Sequence, residues 1–277
     1  MTTVARAAST DAKRFQIGEV IAASVSLYSR NIAVLTLLLA VLYWLPVMAF
    51  NQAAPWLLHR FAPTSHYTGW LGLARAIINA LIAQTLAVCV ASLVLGLSLP
   101  FREASVRAFG QTAALFPRIV VIALILRSDQ IVRALVFFST PTGSVSTRLM
   151  ETGLWSFGLA CVTIFTTLAF GIAAPVLAVE RPSVLATLGR AFRLMSGHRW
   201  SFFGLLVLST IAVVLVAATE QAVLGSALRT NPIIQVANVF VFGQLAVAWA
   251  VIVAASYREL IRIKEGWRPA DVADVFD

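Results

Sequence analysis

Little in this sequence is equipped for chemistry. The 277 residues include two cysteines and three histidines, and 12 Asp and Glu stand against 21 Lys and Arg. Cys89 and Cys161 each lie inside an apolar run, where a thiol behaves as a small hydrophobic group and reports nothing about a redox compartment. His59 and His66 share a connection without a nearby set of carboxylates, and His198 has no companion, so neither metal nor other cofactor is expected. A glycine-rich phosphate loop and a nucleophile elbow are both missing. The chain is therefore expected to be non-enzymatic, with no catalytic residue assigned. Strand-like alternation is missing too, so backbone polar groups inside a bilayer would have to be satisfied by helices rather than by a barrel.

What is plentiful is apolar surface. Hydrophobic residues make up 60% of the chain and charged residues 12%, with a mean hydropathy of +0.88, more than a water-soluble domain of this size can hide. Apolar runs of about 20 residues are long enough to cross a bilayer as helix. In a soluble protein the net charge of +9 would point to nucleic acid. Here membrane topology and anionic headgroups account for it, and no nucleic-acid partner is expected. Residues Met1 to Phe15 are polar and carry Arg6, Lys13 and Arg14, with no apolar core before Ile32, which argues for a retained anchor over a cleaved signal peptide.

The stretch from Ala174 to Leu206 organises the chain. Pro175 to Val179 closes one hydrophobic segment, and Glu180, Arg181 and Pro182 mark its arrival in water. Ser183 is placed to cap a new helix, on which Val184, Leu185, Leu188, Phe192 and Met195 recur at helical spacing while Thr187, Arg190 and Arg193 take the other side. Gly197 is suited to end it in a left-handed conformation before His198, Arg199 and the apolar run from Trp200. A short helix with one apolar and one basic face, tethered to spans at both ends, is expected to lie in the bilayer interface.

Weaker copies of this unit precede it. Ile17 to Arg30 reads as a first interfacial helix, followed at Asn31 by a span from Ile32 to Phe50, a loop to Thr68 and a second span from about Gly69 to Leu99. Pro100 to Phe116 reads as a second surface helix, with Pro117 and Arg118 leading into a third span that Arg127, Ser128, Asp129, Gln130 and Arg133 interrupt. A loop from Thr140 to Thr152, a fourth span from Gly153 to Val179, a fifth from Trp200 to about Glu220 and a sixth from Ile233 to Ser256 complete the chain. The fold class is thus an all-α integral membrane protein. Six transmembrane helices form three pseudo-repeats (about 15–99, 100–179 and 180–257), each opened by an amphipathic interfacial helix and followed by a tail at 258–277. Fifteen of the 21 basic residues fall on the side of the surface helices and termini, against four (Arg60, Arg75, Arg148 and Arg229) on the other, which predicts cytoplasmic termini.

Two stretches carry a family likeness. YRELIRIKEG, Tyr257 to Gly266, and VLAVERPSVLATLGRAFRLMSGHRW, Val176 to Trp200, resemble prokaryotic six-span proteins related to the membrane domain of glycerophosphoryl diester phosphodiesterases. The resemblance implies a bacterial inner-membrane location. Catalysis in such phosphodiesterases belongs to a separate soluble barrel, so the resemblance implies no enzymatic activity for these 277 residues.

Candidate sites follow from charge at depth. Arg127, Asp129 and Arg133 are cavity or ligand candidates because ionisable groups inside a bilayer are costly, and Glu220 joins them near the end of the fifth span. Against this stands the plainer reading that the third span breaks and the cluster lies at the outer interface. Arg107, Arg118, Arg190, Arg193, His198 and Arg199 are candidates for lipid headgroups, beside the plainer reading as topology determinants. The expected partners are membrane lipids with anionic headgroups, with a membrane-protein partner or a homo-oligomer as a further candidate. Two functions are carried forward, a lipid-interacting accessory or scaffold and a carrier of an anionic lipid that uses Arg127 and Arg133.

Overall fold

A computed structural model describes residues 15–61, 67–95, 101–132, 145–225 and 231–266. Among these residues the chain is helical and contains no strand. Helix α1 covers Ile17–Arg30 and stops at Asn31, whose side chain donates back to the Leu27 carbonyl at 2.9 Å. The first candidate span follows as α2 (Ile32–Leu39), a π-helical turn (Ala40–Trp44) and α3 (Leu45–Phe61), so helix continues well into the expected loop. Next come α4 (Tyr67–Leu95) and α5 (Phe101–Leu126), then α6 (Val145–Phe170), α7 (Ala173–Glu180) and α8 (Val184–Met195). Two long helices, α9 (Arg199–Leu224) and α10 (Pro232–Glu265), end the described chain. Six helical stretches are long and apolar enough to cross a membrane, as the hydropathy pattern predicts.

Three differences from the sequence reading have physical causes. The second surface helix and the third span are not separated at Pro117: α5 runs through both, and Pro117 lies on its exposed side. A proline inside a helix removes one hydrogen bond, which a span can tolerate when adjacent groups compensate. The fourth span, by contrast, is broken at Gly171 and Ile172 into α6 and α7. A Cβ on Gly171 would lie 2.5 Å from the Thr167 carbonyl oxygen and 2.8 Å from the Phe202 ring, so only glycine lets the turn seat that ring. The sixth span is longer than read, because α10 continues past Ser256 to Glu265.

The core is concentrated where α7 is wrapped by α4, α5 and α10. Seven consecutive residues of α7, Ala173 to Val179, are buried, which leaves this short helix no outward stripe. Around it lie Leu86 to Leu95 of α4, Ile119 and Ile122 of α5, and Val247 to Ile261 of α10, together with Phe202 and Leu205 from the start of α9. Farther along α9 the packing ends: Leu208, Ile211, Val214 and Leu215 are exposed, as lipid-facing side chains of a span would be. A polar ladder ties α1 to α10, with the Tyr28 hydroxyl donating to Gln244 Oε1 at 2.6 Å and Gln244 Nε2 donating to Thr36 Oγ1 at 3.1 Å.

Candidate functional site

The α7–α8–α9 unit has the local chemistry its sequence predicts at the Gly197 end, but the expected Ser183 hydroxyl cap is not formed. Ser183 occupies the N-cap position in extended conformation, although the first bond is made by its carbonyl, which accepts from the Thr187 amide at 2.8 Å. Gly197 takes φ +87°, the left-handed value the turn requires. Arg181 also adopts φ 51°, an unfavourable value for a side chain of its size. Arg118 Nη1 braces this corner by donating to the carbonyls of Arg181 at 2.6 Å and Pro182 at 3.1 Å.

Helix α8 has three sides rather than two. Thr187, Ala191, Leu194 and Met195 are buried against the bundle. The sequence reading put Thr187 on the polar side. It is instead fully enclosed, which its hydroxyl tolerates by donating to the Ser183 carbonyl at 2.9 Å. Leu185, 80% exposed, and Phe192, 40% exposed, lie on a second side. Arg193 is exposed on a third.

An ionic latch fastens α8 to its neighbours. Glu180, at the end of α7, accepts from Arg190 Nε at 3.0 Å (Oε1) and 3.1 Å (Oε2) and from the Tyr257 hydroxyl at 3.1 Å. Arg190 Nη2 also meets Glu265 Oε1 at 2.5 Å, so one guanidinium bridges the ends of α7 and α10. Burial opposes the charged form of Arg190, but the two carboxylates outweigh it and raise its pKa above the ordinary value. One turn on, Lys264 Nζ donates to the carbonyls of Arg193 at 2.5 Å and Ser196 at 2.7 Å, satisfying acceptors that the end of α8 leaves unpaired. Glu180 is thus a hub of the latch and not merely a solvated boundary. Nothing in the spacing could reveal it, because Tyr257 and Glu265 lie 77 and 85 residues away.

Arg199 is held differently. Its guanidinium carbon lies 4.2 Å from the centroid of the Phe192 ring, which in turn sits 6.2 Å from Phe170. Its buried Nε has no hydrogen-bond partner. Trp200, next in the chain, is 84% exposed and meets Phe203 edge-on at 5.8 Å. His198 faces the Phe15 ring at 6.1 Å, and burial, together with the charge of Lys264, holds its pKa below 6.5. The basic candidates therefore divide. Arg118 and Arg190 are engaged by the protein, whereas Arg193 is exposed and Arg199, half-buried, rests on the Phe192 ring. Arg107 is half-buried on α5.

The charged interruption of the third span is also built. Arg127 forms a turn after α5, and Asp129 behind it is 5% exposed. The Thr163 hydroxyl on α6 donates to Asp129 Oδ2 at 2.6 Å, while Oδ1 has no partner. Arg133 lies outside the described residues. Glu220 accepts from Asn238 Nδ2 at 2.8 Å, which joins α9 to α10. Among the described residues no three His, Cys, Asp or Glu side chains gather as a metal site would require. No family model, no curated protein and no solved structure matches this chain.

Proposed function

We propose that this chain is a non-enzymatic, lipid-interacting accessory or scaffold of a bacterial cytoplasmic membrane, with both termini and the α7–α8–α9 unit on the cytoplasmic side. The single observation behind this reading is the combination on one short helix of a protein-facing side, an exposed apolar side at Leu185 and Phe192, and an exposed arginine at Arg193. Such a helix, latched at Glu180 and Glu265, is a fixed platform at the depth where acyl chains meet headgroups. The likeness of residues 176–200 and 257–266 to six-span membrane domains points the same way.

Hydrogen–deuterium exchange of the protein in nanodiscs tests it. Anionic phospholipid is expected to slow exchange of residues 184–204 relative to phosphatidylcholine, and equal exchange in the two lipids would overturn the reading. A second function, carriage of an anionic amphiphile, is favoured by one observation, the buried Asp129 with an unpaired Oδ1 beside the half-buried Arg127. Ligand-dependent flux in proteoliposomes would favour the carrier over the scaffold.

A further inference from the structure

Arg199 differs from the other cations near the latch. Arg190, Arg118 and Lys264 give their donors to carboxylates or carbonyls of the protein. The Arg199 guanidinium rests on an aromatic face, and its buried Nε meets no acceptor. A guanidinium stacked on a ring keeps its fork of N–H groups in one plane, the arrangement that receives two oxygens of a phosphate at once. Arg199 also opens α9, 26 residues long and without a side-chain cap, so the partial positive charge of the helix start adds to its own. Exposed Trp200 follows Arg199, and the exposed Arg193 follows Phe192 directly, on the helix whose first turn carries exposed Leu185. Apolar side chains this exposed suit acyl chains and glycerol better than water, which separates a lipid from a free phosphate ion.

We infer that the Arg199 guanidinium, stacked on Phe192 at the start of α9, is the seat of the phosphate of an anionic phospholipid, an inference that rests on the lipid-interacting reading above. Phe170 and Phe192 fix the height and tilt of the fork, the latch fixes α8, and Arg193 adds long-range attraction without a defined geometry.

Native mass spectrometry of the full chain, titrated with phosphatidylglycerol or phosphatidylcholine, tests the site. Circular dichroism first confirms wild-type helix content for each variant. The wild type is expected to retain phosphatidylglycerol preferentially, and Arg199→Gln to weaken that binding by about tenfold, the scale of one charge-assisted contact. Arg199→Lys and Phe192→Leu, which keep the charge but lose the fork or the ring beneath it, should each lose several-fold, and Arg193→Gln less than twofold. If the wild type prefers phosphatidylglycerol but Arg199→Gln binds it equally well, the seat is overturned while the lipid-interacting reading stands. If the wild type shows no preference, both fail. Displacement of the lipid by millimolar inorganic phosphate would overturn the lipid as occupant in favour of a soluble phosphate.

Discussion

Replacing Arg190 with methionine keeps most of the apolar stem and deletes the guanidinium donors of the latch. Three contacts are lost, two to Glu180 and one to Glu265, and two carboxylates are left facing a site without a cation. Exposed ion pairs contribute about 0.2–1 kcal/mol and shielded hydrogen bonds to charged groups about 1.5–3 kcal/mol. The three side chains here are 24%, 29% and 26% exposed, between those limits, so Arg190→Met is expected to destabilise by about 2 kcal/mol. Unfolding by SDS titration in bicelles measures the loss. A double-mutant cycle with Glu180→Gln should return a coupling of about 1 kcal/mol, since each single change already breaks the shared bond. Hydrogen exchange should place the loosening in residues 184–195 and leave the α4 core untouched. A coupling below about 0.3 kcal/mol would refute the claim that this pair fastens α8, because it would make the two residues energetically independent.

Two further outcomes follow from the packing and the titrating groups. Gly171→Ala should cost about 1–3 kcal/mol, since its Cβ would overlap the Thr167 carbonyl and the Phe202 ring, whereas Gly158→Ala, with nothing within 4 Å of the new Cβ, should be close to neutral; parallel SDS titrations compare them. His198 has a folded pKa below its ordinary 6.5, so the unfolded chain takes up its proton first as pH falls. The neutral imidazole thus contributes stability that is present above pH 6.5 and lost as pH falls below it through the lowered folded pKa. Melting temperatures at pH 7.5 and 5.0 should fall less in His198→Gln than in the wild type, and identical falls would reject the assignment.

How much of this was legible along the chain depends on the range of the interaction. Hydropathy needs only composition over a window of about 20 residues, so the six candidate spans stand in the sequence. Local punctuation was legible for the same reason: Asn31 ends α1, and Gly197 takes the left-handed conformation that no β-carbon obstructs. The candidate lipid arginines could be named from charge and position, yet which of them the protein engages could not. Arg118 finds the carbonyls of residues 63 and 64 positions away, and Arg190 finds Glu265. Those pairings exist only because α5, α7, α8 and α10 converge on one end of the bundle.

Periodicity alone misplaced Thr187, because α8 has three sides, and a two-sided pattern cannot tell a buried hydroxyl from a wet one. Pro117 misled in the opposite way, since a breaker in water is tolerated in a long helix whose outward face is free. The sequence by itself determined the helical class of the molecule, its candidate spans and the turns at Asn31 and Gly197, all consequences of solvation and backbone sterics within a few turns of helix. Tertiary structure alone decided that α7 is the buried peg and that Glu180 is a hub, because each depends on which distant helices pack together.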